Sequence, residues 1–338
     1  MTQFHLRRRG FDLGKIAIEQ KPNDPLENWR KGLAIQLSGF CNAQVTAQQQ
    51  QIQDTEQLVR GVWEEQSIEK LLSTSPYQER LDKQFSILGS GISERDQQEI
   101  ETVFFDGLVN QKVSAQDLWM KTSWLSFHDE DASLRFRFSF GVDLEEDVAA
   151  DPHRQKFAAR LCDQVFPESA VINKHKELEA LLSKLIDREQ IHYVERIIYF
   201  NAPGGGAYLH HDLERGHAGV AYAQLSGQTF WLALPLEQLV QSIIDYAAKH
   251  KVSDNINALC TDADKLVVEL NSFANDDLIR LINETPEFVL FLHRAGYSRL
   301  MQAGDILLLP QTTAEQCCWH SVFCVGDEVG QALSFAIR

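Results

Sequence analysis

From about residue 194 to the C-terminus the sequence is cut into short β-prone runs by turns rich in Gly and Pro, and this pattern narrows the possible folds more than any other feature. The runs are 194–200, 208–212, 220–225, 229–234, 306–309, 319–325 and 332–337, with Pro203-Gly-Gly-Gly206 as the tightest turn. A helical insertion interrupts them at about 236–284, where Leu239, Ile243, Ile244 and Tyr246 recur at helical spacing. Many short strands divided by one helical insert suit a jelly-roll barrel within an α+β protein whose core is mainly β.

The earlier chain has a different texture. Residues 1–45 mix short apolar runs with turns, and the glutamines 48–51 read as a solvated loop or helix start. From 54 to 111 the spacing predicts helices. Ser93 with Asp96 resembles a capping box ahead of Ile100, Val103, Phe104 and Leu108, and Ser114 with Asp117 repeats it ahead of Leu118 and Trp119. A mainly helical region is therefore expected over 1–120, with the barrel over 121–338. No linker separates them, so they read either as two layers of one enzyme or as two domains. Residues 133–141 alternate strictly: Leu134, Phe136, Phe138 and Phe140 lie on one face, Arg135, Arg137 and Ser139 on the other. The preceding run at 124–127 and the turn at 128–131 predict a hairpin, and 152–187 returns to helical spacing.

With 338 residues, 44% hydrophobic and 24% charged, the chain has the composition of a globular protein. A formal charge of −16 argues against a broad nucleic-acid-binding face, which needs clustered Lys and Arg. The six cysteines include an adjacent pair, Cys317 and Cys318, but no C-x-x-C, so neither a disulfide framework nor a cysteine zinc site is expected. Arg7, Arg8 and Arg9 are not followed by an apolar signal core, and no apolar stretch reaches bilayer-spanning length, so the expectation is a cytoplasmic protein without membrane contact.

The segment richest in chemistry is Tyr199-Phe-Asn-Ala-Pro-Gly-Gly-Gly-Ala-Tyr-Leu-His-His-Asp212. Residues two apart on a strand share a face, so His210 and Asp212 can address one metal while His211 points away. A distant second histidine on its own strand would complete a facial triad, and His320 fits. Such a set leaves coordination positions open for a keto acid and O2, a geometry suited to non-haem Fe(II).

These elements resemble the core of the JmjC/cupin-like oxygenases. The resemblance rests on His210-His-Asp212, on Gln224-Leu-Ser-Gly-Gln-Thr-Phe-Trp231 with Pro235, on Gly304-Asp-Ile-Leu-Leu-Leu-Pro310, and on Trp319-His320. It covers about 194–235 and 299–338, under half of the chain. It implies a double-stranded β-helix, Fe(II), 2-oxoglutarate and O2, and hydroxylation or demethylation of a substrate C–H. The substrate would be a small molecule, an amino acid, or a peptide or protein side chain. The helical half and the insertion would shape the substrate cleft or the face of a homodimer.

The sequence also departs from that pattern. Many members of the family carry a Lys, two residues after the Gly of the Gln-Leu-x-Gly element, that pairs with the far carboxylate of 2-oxoglutarate; here that place is Thr229. Arg338 is the candidate replacement. If 326–330 closes a hairpin, His320 lies across from Ala336, and Arg338 has the parity to face the barrel interior. Thr229 and Tyr208 could add hydroxyl donors. His211, Arg135 and Arg137 are candidate substrate contacts, each read more simply as an outward strand residue, and His217 is expected in a solvated loop. Cys317 and Cys318 read as inert thiols. Two other classes stay open: a metal-dependent cupin enzyme that uses no 2-oxoglutarate (a direct dioxygenase, hydrolase or isomerase), and a non-catalytic cupin ligand-binding module.

Overall fold

The computed structural model describes residues 2–8, 11–18, 24–93, 98–125, 133–141, 150–213, 217–314 and 316–338. A hairpin of β1 (Thr2–Arg8) and β2 (Phe11–Ile18) precedes α1 (Pro25–Arg30), β3 (Ile35–Leu37), α2 (Asn42–Ala47), α3 (Gln49–Trp63), α4 (Ile68–Leu72) and α5 (Tyr77–Leu81). Strands β4 (Phe85–Gly91), β5 (Glu99–Val109), β6 (Lys112–Trp124) and β7 (Leu134–Phe140) follow, then α6 (Pro152–Val165), α7 (Ala170–Asn173) and α8 (Lys176–Ile186). Next come β8 (Tyr193–Asn201), β9 (Gly206–His210), β10 (Gly219–Gln224) and β11 (Gln228–Pro235). The insertion supplies α9 (Leu236–Ala247), α10 (Asp254–Leu259), α11 (Ala263–Ser272), α12 (Asp276–Glu284) and α13 (Pro286–Arg294), so it runs past the expected residue 284. The chain ends with β12 (Ser298–Gln302), β13 (Ile306–Pro310), β14 (Cys318–Val325) and β15 (Gly330–Ile337).

The protein is α+β. A nine-stranded antiparallel sheet has the order β3-β13-β10-β15-β8-β7-β6-β5-β4, and a four-stranded sheet has the order β12-β11-β14-β9. Each sheet buries its outer face under helices. The aromatic side of β7 packs on the C-terminal end of α6: Phe166 lies 5.1 Å from Phe136 and 5.8 Å from Phe138. Burying each such ring is worth about 2–3 kcal/mol. The insertion covers the smaller sheet, setting Leu239, Ile243 and Phe288 against Phe230, Leu232 and Phe323. Between the sheets, Val220, Tyr222 and Leu307 of the large one meet Trp231, Ala233 and Val322 of the small one.

Two expectations change. Helices in the N-terminal region end at Leu81, and the stretches behind both capping signals are strands β5 and β6. Asp96 lies outside the described residues. The helical reading puts Val103 and Phe104 on one buried face, but pairing with β4 and β6 selects the strand: Val103 and Phe105 are buried while Phe104 is 41% exposed. Asn110 and Gln111, with φ of 49° and 63°, close a two-residue hairpin between β5 and β6. The second change concerns the C-terminus. The link from β14 to β15 crosses between sheets: β14 pairs with β11 and β9, whereas β15 pairs with β10 and β8. His320 therefore stands opposite His210 rather than Ala336. The expected β7 alternation, the helices within 152–187 and the strands from β8 onward are present. The turn at 128–131 lies outside the described residues. Among the described residues, no helix is long and apolar enough to cross a membrane.

Candidate metal centre

β9 enters the site through its first residue, Gly206. A side-chain carbon on Gly206 would sit 1.8 Å from the Val322 carbonyl oxygen, so only glycine lets β9 press this closely onto β14. That approach sets the register in which His210 faces His320, with ring centroids 4.4 Å apart. Asp212, just past the end of β9, places its carboxylate oxygens 3.6 Å from His210 Nε2 and 3.4 Å from His320 Nε2. One ligand atom from each of His210, Asp212 and His320 lies within 4.8 Å of the others, close enough for all three to hold one metal ion.

Backbone carbonyls orient both imidazoles. His210 Nδ1 lies 2.6 Å from the Tyr208 carbonyl, and His320 Nδ1 lies 3.1 Å from the Cys318 carbonyl. A carbonyl only accepts, so each Nδ1 carries the proton and each Nε2 turns its lone pair toward Asp212. Trp231 stacks on His320 at 5.6 Å. Burial, together with the neighbouring His210, lowers His320 to about 4 against the pull of Asp212. Burial pushes Asp212 upward, but His320 and His210 outweigh it and hold the carboxyl well below its ordinary range. At neutral pH the cluster therefore includes a carboxylate and a neutral His320. That donor set fits a divalent first-row metal with open positions.

The cluster opens into a cavity of ≈ 440 Å³ between the sheets. His211 lines it, 3.2 Å from Asn271 of α11 and edge-on to Trp319, and Phe273, stacked on Trp319, brings the insertion to the rim. His217 is 6% exposed and also lines the cavity, contrary to its expected place in a solvated loop. Arg135 and Arg137 line the opposite wall. Arg137 pairs with Glu195 at 2.5 Å and lies over the Trp119 ring.

The three expected 2-oxoglutarate contacts lie elsewhere. Thr229 is fully buried in a chain of side-chain bonds: it accepts from Trp231 Nε1 (2.9 Å) and donates to Gln224 Oε1 (2.7 Å), which also accepts from the Tyr222 hydroxyl. Tyr208 turns outward and donates to Glu284 of α12. Arg338 follows β15, exchanges backbone bonds with His192 and is not among the residues around the cavity. The Gly304-Asp305 element is structural. Asp305 accepts from the backbone of Gly39 and Gln302 and from Gln36, tying β3 to β13. Cys317 and Cys318 are buried, and burial pushes the Cys317 thiol up to about 12.

The motifs gave no sign of Tyr199, Asn201 or Ser334, all of which line the cavity. Asn201 is 2% exposed, and its amide oxygen has no hydrogen-bond partner among the described residues. For Tyr199 and Asn201 the signal is parity alone, since the positions of β8 that alternate with buried Ile198 and Phe200 face inward; Ser334 joins them from β15. No protein-family model matches the chain, and no curated protein matches it either.

Proposed function

We propose that the chain is an Fe(II)- and 2-oxoglutarate-dependent oxygenase of the JmjC/cupin-like type that hydroxylates a C–H of an amino acid, a peptide or protein side chain, or a small metabolite. The observation that carries this reading is the facial set of His210, Asp212 and His320 at the base of an inter-sheet cavity. The wiring supports it. Strands β8, β15, β10 and β13 are neighbours in one sheet and β9, β14, β11 and β12 in the other, the alternation expected of a double-stranded β-helix. Fe(II) with 2-oxoglutarate and O2 would supply oxidation of the C–H coupled to decarboxylation of the oxo acid to succinate.

The chain's own residues hold and orient. His210 and His320 offer Nε2 with their ring protons already committed, and Asp212 completes the set. Trp231, Tyr222 and Val322 exclude water from the base, and the open acceptor of Asn201 meets a donor on the substrate. The test is anaerobic Fe(II) titration with and without 2-oxoglutarate, watching for the weak visible band near ~500 nm of a chelated oxo acid at a His/carboxylate iron site. A band in wild type that His210→Ala removes, followed by succinate release in air, supports the reading. Iron binding without that band favours the alternative of a metal-dependent cupin enzyme that uses no oxo acid, a reading that the internal commitment of Thr229 keeps open.

A further inference from the structure

A dicarboxylate leaves water only where a cation or several donors receive it. Among the described residues, Arg135 and Arg137 supply the fixed positive charges on the cavity wall. They differ in what they already do. Arg137 is held by Glu195 and by the face of Trp119, whereas among the described residues Arg135 makes no ion pair. Arg135 lies directly across from Tyr199 in the β7–β8 register, and both point into the cavity. Burial pushes the Tyr199 phenol up, and the cavity charges act on it in opposite directions: Arg135 and Arg137 pull it down, Asp212 and Glu195 push it up. The phenol thus lies within electrostatic reach of both the metal cluster and the guanidinium.

We infer that Arg135, with the Tyr199 hydroxyl beside it, binds the far carboxylate of the oxo-acid co-substrate and selects a dicarboxylate over a monocarboxylate. The assignment rests on the oxygenase reading and moves the anchor from the barrel strands to β7. There the planar guanidinium can meet a carboxylate with two parallel N–H donors, while Lys would offer a single ammonium. Thr229 and Arg338 then have no part in co-substrate binding.

The experiment compares 2-oxoglutarate with 2-oxobutyrate, which keeps the chelating end and lacks the far carboxylate. Both are titrated anaerobically into the Fe(II)-loaded wild type, Arg135→Gln and Arg135→Lys, following the chelate band. Arg135→Gln should weaken 2-oxoglutarate by about tenfold or more and leave 2-oxobutyrate within about twofold, with Arg135→Lys recovering part of the loss. Equal weakening of both acids, or 2-oxoglutarate binding unchanged in Arg135→Gln, overturns the assignment alone. Failure of wild type to chelate either acid overturns the oxygenase reading and this assignment with it. Fe(II) affinity measured on the same variants shows whether each remains folded and metal-competent.

Discussion

The two walls of the cavity follow opposite rules. On the four-stranded side the side chains around the metal cluster are committed before any ligand arrives: both imidazoles are pinned through Nδ1, and Thr229 is locked to Gln224 and Trp231. On the nine-stranded side, Asn201 keeps a buried acceptor without a protein partner and Arg135 makes no ion pair among the described residues. A metal needs ligands fixed within a few tenths of an ångström, and the ligand imidazoles here are held by bonds that the protein already makes. A ligand is recognised by polar groups that the protein leaves unmet, so its wall is under-satisfied.

Variants can break that contrast. The largest effect is expected from Asp212→Ala, which removes the only anionic member of the cluster and should lower Fe(II) affinity by more than about a hundredfold, read by calorimetry at unchanged circular dichroism. Retained affinity would mean that the small sheet is not the metal wall. Glu168 comes next. It is buried behind the large sheet, accepts from Gln331 of β15 and from Thr55, and burial raises its carboxyl to about 7 from an ordinary value of 4.5. The folded protein therefore binds this proton more tightly than the unfolded chain does. The resulting stability is fully present below pH ~4.5, falls as pH rises and is lost above pH ~7, amounting to about 3 kcal/mol at most. In Glu168→Gln the slope of unfolding free energy between pH 5 and 8 should flatten; an unchanged slope would place the proton uptake elsewhere.

Thr229→Val tests the committed wall more gently. It breaks two buried hydrogen bonds and should cost about 1–3 kcal/mol in urea unfolding, with oxo-acid affinity unchanged. A selective loss of 2-oxoglutarate binding would return Thr229 to the ligand wall. The smallest effect belongs to His211→Ala. This residue bonds to Asn271 and Leu213 at the rim, so Fe(II) affinity should stay within about threefold. A larger drop would make it part of the cluster.

The satisfied wall was the more legible one. His210 and Asp212 are two residues apart, and His320 follows its own Gly- and Pro-bounded strand, so period-two parity was enough to bring them together. The other wall has no local signature. Arg135 and Tyr199 are neighbours only through the β7–β8 register, and Ser334 joins them from a third strand. The hairpin that gave Arg338 its inward parity fails for a related reason: a Gly-bounded turn such as 326–330 reads the same whether it closes a hairpin or crosses between sheets, and only the pairing partners of β14 and β15 decide. The run Val103-Phe104-Phe105 lets apolar residues be picked at either period, 100, 103, 104 and 108 for a helix or 103 and 105 for a strand, while Asn110-Gln111 carries the turn signal that favours the strand.

β9 forms the outer edge of the four-stranded sheet, so the strand that carries His210 could have offered an open row of backbone donors to any passing chain. Asn283 of α12 closes it by accepting from the Leu209 amide at 2.6 Å. The insertion is thus a guard against aggregation as well as a rim: a shortened chain lacking 236–294 would leave its metal-bearing strand as a template for strand addition, and would be lost to self-association before it was lost to chemistry.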